Sequence, residues 1–458
     1  MLISPPRSFF DGRLVCVAAL GAVALAGCGG DGGSNDLTHD PANVHLDLGP
    51  PSPDGSIHVR YPDAGTGGTG GTGTGGSTWD TGTGGTGGTG GKTADSGISP
   101  ADDVTVSTLA SGEVPMLGGL SSYVHFTVPD DAVGLTIFGL GDPSGMYVVE
   151  QLEDATGEAL VTGTPEAGNI PGVEQITPWP GQFSSPNRSA ANEAMATLLV
   201  PNNPELTLHP GDWRVRFAGA NARTGRGVSG NLPYVIRVKR ASALPPKGVL
   251  GLNLYFTGAR GWTAASAQDD PDFRAAIFRM QSFYTDIGVE LKLLSWNDIS
   301  TRFQVIDTFQ GEPNNELSQL YSEGVTGEGV NLFFIDRFAG QLGAQIGGIA
   351  GAVPGPSGEG LGGTPRSGVA VATTSDPDPR SIGHVMGHET GHYLGLFHTS
   401  ELFAGNVNDP IPDTPTGQGG NTNLMFPTVT TGVAHLTEQQ GRIVRGTPTV
   451  LPAEGDAP

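Results

Sequence analysis

Residues 388–398, which read HETGHYLGLFH, decide both the predicted fold and the predicted chemistry. His388 and His392 are four residues apart, so on a helix they lie on one face, about one turn from each other. Gly395 can adopt a left-handed conformation that ends the helix and turns the chain sharply. That turn would bring His398 toward the other two histidines as a third nitrogen ligand for one metal ion.

Three nitrogen ligands leave a fourth position for water, as a catalytic zinc site requires. Zinc lowers the pKa of such a water, and Glu389 stands beside the helical histidines, where it can accept the proton as general base. From the composition of this chain, the fixed positions of the pattern are expected by chance in roughly 3 of 100,000 chains. A packed helix whose histidines are merely structural is therefore the weaker alternative.

The pattern is the metzincin form of the zinc-peptidase motif, and the chain resembles metzincin metallopeptidases at every fixed position. This resemblance implies that Met425, in the segment NLMFP at 423–427, forms the turn that metzincins place beneath the metal. Asp409, Asp413 and the following Thr-Pro, then Asn-x-Met, resemble the pappalysin group, although the cysteines common in that group are absent here. The group contains calcium sites, so both aspartates are candidate calcium ligands; the alternative is that they are turn residues beside prolines.

Residues 246–458 are predicted to form the catalytic domain. Apolar runs typical of strands alternate with helical periodicity upstream of the motif, which indicates an α/β or α+β fold, and the metzincin resemblance implies the α+β metzincin-like form. The strand predicted at 367–373 stands where metzincins place the edge strand that binds substrate, after a Gly-rich loop at 340–363. Glycines recur every fourth residue from Gly383 to Gly395, which predicts a bare helix face packed closely on the sheet.

Residues 101–245 are predicted to form an all-β sandwich. Short apolar runs recur about once every ten residues, and polar and apolar residues alternate at 213–217 and 235–238. The region contains no catalytic cluster, so a spacer or chaperoning role is favoured, while a substrate- or surface-binding role stays open. The predicted architecture is therefore multidomain, with an N-terminal sandwich before the catalytic domain.

Residues 1–27 are predicted to be a signal peptide, because a 13-residue apolar run is too short to span a bilayer. The run ends in Leu-Ala-Gly-Cys, which resembles the bacterial lipobox and implies that Cys28 carries lipid. In lipoproteins of this kind, a glycine after the lipidated cysteine, here Gly29, implies that the protein is anchored in the outer membrane and exposed to the periplasm or to the cell surface. Residues 28–100 are predicted to be a flexible linker, because the tract at 65–91 contains 15 glycines.

The composition of the chain excludes some classes of binding partner and of fold. A net charge of −23 argues against nucleic acid, and two cysteines exclude a disulfide scaffold. The sequence predicts a zinc-dependent metalloendopeptidase (Zn²⁺, with Ca²⁺ as a second candidate ion) that hydrolyses extracellular or surface proteins or peptides. The alternative is a surface-anchored binding or adhesion protein with a non-catalytic zincin-like head. The oligomeric state is left open.

Overall fold

The structure is a computed structural model that describes residues 57–58, 104–162, 185–307, 314–324, 328–343, 346–374, 378–401, 407–415, 417–428 and 433–453. The predicted signal peptide, the predicted lipidation site Cys28 and all but two residues of the predicted linker lie outside these ranges. Among the described helices, none has the length and apolar character needed to cross a lipid bilayer.

Most of the regular secondary structure in the described residues is strand. They are β1 Ile57–His58, β2 Thr105–Leu117, β3 Leu120–Ser121, β4 Val124–Val128, β5 Ala132–Leu140, β6 Gly145–Glu153, β7 Ala159–Val161, β8 Ala190–Glu193, β9 Met195–Val200, β10 Gly211–Asn221, β11 Gly230–Arg240, β12 Gly248–Phe256, β13 Val289–Asp298, β14 Val305–Ile306, β15 Val330–Ile335, β16 Arg337–Phe338, β17 Gly348–Ala350, β18 Val369–Ala372, β19 Ser400–Glu401 and β20 Val407–Asn408. The helices are α1 Pro271–Thr285, α2 Glu316–Ser322, α3 Gly340–Gly343, α4 Pro379–Tyr393 and α5 Glu438–Gly446.

The N-terminal strands form a closed antiparallel barrel. Eight of them follow one another in the order β10-β3-β2-β11-β5-β9-β8-β6, and β6 pairs again with β10 over eight register positions, which closes the ring. Alternate side chains point inward and fill the interior, with Trp213, Phe217 and Ile236 at most 1% exposed. The interior is thus a packed core.

The second sheet has six strands in the order β1-β13-β12-β15-β18-β17. The four central strands are parallel, and the strands at both edges are antiparallel to their neighbours. Buried apolar residues of α1 and α4 pack on one face of this sheet, and those of α2 pack on the other. The edge strand β1 comes from the predicted linker, where Ile57 pairs with Leu293 and His58 with Lys292.

The predicted fold class is wrong. Residues 105–240 close into a barrel, because the β6–β10 pairing joins what would be the two edges of an open sandwich. The regular structure of the described chain is mostly strand, with few helices, which differs from a sandwich followed by an α+β metzincin-like catalytic domain. The strand that the sequence predicts at Gly248–Phe256 is nevertheless present with the same bounds.

The barrel and the second sheet are joined by a buried polar interface. Lys239 of β11 donates from Nζ to the backbone oxygens of Arg445 (2.6 Å) and Val450 (2.5 Å), near the C-terminal end of the described chain. Burial lowers the pKa of Lys239 to about 7. Arg237 donates to the backbone oxygen of Ser357 at 2.6 Å, and Leu199 of β9 belongs to the apolar core of the second sheet. The barrel is therefore in direct contact with the part of the chain that carries the histidine motif.

Candidate metal centre

Helix α4 carries the first two histidines, and its start follows from local sequence. The Asp378 side chain accepts a hydrogen bond from the backbone N–H of Arg380, and a proline occupies the first turn. The glycine-bearing face packs on α1, where a Cβ at Gly383 would lie 2.3 Å from the backbone oxygen of Ala276. The predicted close packing of this face on the sheet is wrong, since its neighbour here is a helix.

The helix ends as the sequence predicts. Gly395 has a φ of 97°, its N–H donates to the oxygen of His392 (2.8 Å), and the N–H of Leu396 donates to that of Gly391 (2.9 Å). This pair of bonds is a Schellman motif, which requires a residue that tolerates the left-handed region. The chain therefore reverses immediately after α4 and returns toward the helix.

Three histidines meet at this reversal. One ring nitrogen from each of His388, His392 and His398 lies within 4.8 Å of the others, so the three could hold a metal ion. The side chains are 0%, 2% and 4% exposed. The predicted trio of metal ligands is therefore brought together in space.

The hydrogen bonds of the first two histidines fit a metal. The Nδ1 atoms of His388 and His392 each lie 2.7 Å from a backbone oxygen, of Leu424 and Leu396 respectively. Because a carbonyl only accepts, each Nδ1 carries the proton and each Nε2 presents a lone pair. These two Nε2 atoms are only 3.1 Å apart, an arrangement that a cation between them would stabilise.

A proton is a poor candidate for that cation. Burial, reinforced by the neighbouring His398, lowers the pKa of both His388 and His392 well below its usual range. Neutral imidazoles oriented by backbone carbonyls are the usual ligands of zinc. The donor set thus fits a three-histidine metal site.

Glu389 lies on the same helix with its carboxylate fully buried. Its Oε2 accepts a hydrogen bond from the backbone N–H of Ala350 at 2.9 Å, while Oε1 has no partner among the described residues. Burial raises the pKa of Glu389 to about 8, against the smaller opposing effect of the Ala350 N–H. One carboxylate oxygen is thus fixed and the other is left to accept a proton.

The edge of the sheet beside Glu389 differs from the prediction. The strand predicted at 367–373 is β18, which lies inside the sheet between β15 and β17. The edge is β17, which contains Ala350 and comes from the stretch predicted as a Gly-rich loop. Its three residues, Gly-Ile-Ala, are too few and too small to give a strand signal of their own.

Met425 lies directly beneath the helix. It is 0% exposed, and a Cβ at Gly391 would lie 2.5 Å from its sulfur, so any other residue at 391 would force the Met425 side chain to shift. The turn that contains Met425 also supplies the backbone oxygen of Leu424, which orients His388. The backbone oxygen of Met425 accepts a hydrogen bond from the N–H of Thr399 at 3.0 Å. Met425 therefore packs against α4 in the same turn that orients His388, and its role as a Met-turn stays a prediction.

The two candidate calcium ligands have separate surroundings. Asp413 accepts hydrogen bonds from the Thr437 hydroxyl (2.7 Å) and the Gln439 N–H (3.1 Å), and so caps the start of α5. Asp409 accepts from the Thr414 hydroxyl at 2.5 Å through Oδ1. Within the described residues neither aspartate belongs to a group of three or more metal-ligating side chains. Calcium binding stays a prediction.

Asp413→Ala is expected to lower the free energy of unfolding by about 1 kcal/mol, because α5 loses its capping carboxylate. Urea unfolding of the variant measures this change. The matched control is Asp212→Ala, because Asp212 is an exposed aspartate on β10 of the barrel and caps no helix. A loss of stability that appears only in the presence of calcium would contradict the capping role.

Burial raises the pKa of Asp409 from 3.8 to about 7 and outweighs the hydrogen bonds that lower it. Between about pH 4 and 7 the folded chain holds a proton that the unfolded chain releases, so stability from this group is lost as pH rises through 7. Asp409→Asn is expected to flatten this decline. Urea unfolding at several pH values measures it, and parallel pH profiles for variant and wild type would contradict the expectation.

The sequence does not reveal that the barrel contacts the chain around His398. Arg188 is buried, its guanidinium carbon lies 5.5 Å from the centre of the Phe397 ring, and it donates to the backbone oxygen of Asn408. Leu199 packs against Gly395, where an added Cβ would lie 2.5 Å away. No local pattern marks either residue, since both act across more than 190 positions of sequence.

Comparisons with known proteins give no evidence on the chemistry of this site. No family model and no curated protein matches the chain. Among solved structures, metalloproteinase-II from Bacteroides fragilis is similar, with a TM-score of 0.27 and 12% identity, over 45% of this chain and 60% of that one. The chain thus spans about 60% of the length of that metalloproteinase. At this TM-score the likeness decides nothing about the site, which stands on its own geometry.

Proposed function

We propose that the chain is a zinc-dependent metallopeptidase that hydrolyses peptide bonds. His388, His392 and His398 hold the ion, and Glu389 is the general base. The observation that carries the proposal is the meeting of three histidine nitrogens beside a buried carboxylate with one oxygen available. Cleavage of casein or of a peptide library, with and without a chelator, tests it.

Zinc in this position supplies a Lewis acid and lowers the pKa of water that it coordinates. Ala350 holds Oε2 of Glu389 through its backbone N–H, which leaves Oε1 to accept the proton from the attacking water. The Leu424 and Leu396 oxygens hold the imidazoles of His388 and His392 in one tautomer. Burial keeps bulk water away from these groups, which strengthens their electrostatic interactions.

The family of the metal centre, the substrate class and the membrane anchor are proposed from the sequence. We propose that the centre is related to that of metzincins, and to the pappalysin group among them, through residues 388–398 and Met425 and not through the overall fold. We also propose endopeptidase activity on extracellular or surface proteins by a lipoprotein that is anchored at Cys28 to the outer membrane. Palmitate labelling of the wild type, and its loss in Cys28→Ala, tests the anchor.

A second candidate is a binding protein with a non-catalytic zincin-like head. The observation that favours it is burial, since none of the three histidines or Glu389 is more than 4% exposed. A substrate must reach the metal of a peptidase, whereas a structural metal needs no access. Protein that contains zinc, unfolds cooperatively and cleaves nothing in the library would support this candidate over the peptidase.

Removal of the metal is expected to lower the melting temperature. An ion present at 1,000 times its dissociation constant stabilises the folded state by about 4 kcal/mol, provided that it does not bind the unfolded chain. Thermal unfolding before and after dialysis against a chelator measures the loss, and re-added zinc should restore it. An unchanged melting temperature, with zinc shown to be removed, would contradict a metal held by these histidines.

A further inference from the structure

We infer that the barrel positions the third metal ligand, and that Arg188 is a residue through which it does so from both sides of that ligand. This inference rests on the proposed metal centre. It assigns the barrel a role in forming the site, where the sequence predicts a spacer or chaperoning role, with substrate or surface binding as the alternative.

His398 is the one ligand of the three that does not lie on α4. His388 and His392 lie on α4 and are fixed by the helix and by their Nδ1 hydrogen bonds. His398 lies beyond the Schellman turn, in a segment between α4 and β19 that belongs to neither a helix nor a strand. The contacts that hold the segment on either side therefore contribute to the place of His398 relative to the other ligands.

On the preceding side, the segment packs on the barrel. Phe397 is 6% exposed and forms a buried cluster with Ala190 of β8 and with Val353. Gly395 faces Leu199 of β9 at a distance that leaves no space for a side chain. The turn and the residue immediately before His398 thus rest on two adjacent barrel strands.

On the following side, the chain enters the β19–β20 hairpin. Ser400 pairs with Asn408, its hydroxyl donates to the Asn408 side-chain oxygen at 2.9 Å, and the Thr399 oxygen accepts from the N–H of Asp409 at 3.3 Å. Arg188 donates to the backbone oxygen of Asn408 and also lies over the ring of Phe397. A single guanidinium therefore contacts the chain on both sides of His398.

The main chain of Arg188 is hydrogen-bonded within the barrel region. Its backbone N–H donates to Oδ1 of Asn202 at 2.8 Å, and Nδ2 of Asn202 donates to the Arg188 oxygen at 2.7 Å. The neighbouring Asn187 donates to the oxygen of Leu199 at 2.9 Å. The barrel thus fixes the main chain of Arg188, and its side chain, a planar group with several donors, can serve both contacts at once.

The test compares Arg188→Met, which removes the hydrogen bond but keeps a long apolar side chain, with Arg216→Met as control. Arg216 pairs with Glu150 on the barrel at 2.7 Å, and no hydrogen bond from it reaches the described part of the metal centre. Zinc affinity is measured in the full chain by competition with a chromophoric chelator. The absorption spectrum of the cobalt-substituted protein reports how many histidines bind the ion.

Arg188→Met is expected to weaken zinc binding about 10–100-fold, as loss of a group that orients a ligand does, and to reduce the visible cobalt absorption because His398 binds the ion less tightly. Arg188→Lys should recover part of the affinity, because its ammonium can still donate to Asn408. Arg216→Met should match the wild type. A folded Arg188→Met protein with wild-type affinity and cobalt spectrum would overturn the inference.

Phe397→Leu keeps the test decisive if Arg188→Met does not fold, because it removes the ring beneath the guanidinium and keeps an apolar side chain. The same loss of affinity and of cobalt absorption is expected, and a wild-type result overturns the inference. Absence of zinc binding in the wild type would refute the proposed function and the inference together. Wild-type binding with unaltered variants refutes the inference alone.

Discussion

Glu389→Gln is expected to lower kcat about 1,000-fold while leaving zinc binding intact. General bases contribute about 10²–10⁴-fold to enzymatic rates, and the amide cannot accept a proton from water. Its oxygen can still accept the backbone N–H of Ala350, so the helix and the three histidines should keep their places. The loss should therefore fall on the chemical step.

The matched control is Glu438→Gln, because Glu438 is a carboxylate on α5 whose side chain is 68% exposed and pairs with Arg445. Steady-state kinetics on a peptide cleaved by the wild type would give kcat and KM for all three proteins, with zinc content measured on the same samples. A folded, zinc-loaded Glu389→Gln protein with kcat within tenfold of the wild type would show that another group is the base.

His398→Ala is expected to weaken zinc binding by more than 100-fold and to abolish cleavage. The two helical histidines alone leave the ion with one protein ligand fewer than catalytic zinc sites use. The effect should exceed the ~10–100-fold cost of losing a group that only orients a ligand. Chelator competition and metal analysis after gel filtration measure it.

His384→Ala is the matched control for that variant. His384 is buried on α4, one turn before His388, but lies outside the group of three that could hold a metal. Its replacement should change stability and leave zinc affinity within a few fold of the wild type. If His384→Ala lost zinc and His398→Ala kept it, the assignment of the third ligand would be wrong.

The parts of the site that the sequence predicts are local. They depend on residues within one helix and the turn that follows it. These parts are the histidine spacing on α4, the left-handed turn at Gly395 and the return of the chain toward His398. Met425 is predicted through family resemblance, and the approach of its sulfur to Gly391 gives a physical reason for a glycine there. Short-range geometry limits such segments to few conformations.

The features that the sequence does not reveal depend on distant pairing. Whether an antiparallel sheet stays open or closes is decided by the β6–β10 ladder, and alternation within each strand is the same in both cases. The edge position of β17 depends on its pairing with β18, and the role of Asp413 depends on the approach of α5. Arg188 stands in a polar stretch with no periodic pattern, and only the folded chain brings it to Phe397.

The most direct test of the central claim is cleavage of a peptide library by the purified full-length chain under metal control. Wild-type protein should cleave, lose activity when a chelator removes the ion, and regain it when about one equivalent of zinc is added. Glu389→Gln, loaded with the same amount of zinc, should not cleave. Folded wild-type protein that holds zinc and shows no chelator-sensitive cleavage would contradict the claim that this centre is a peptidase.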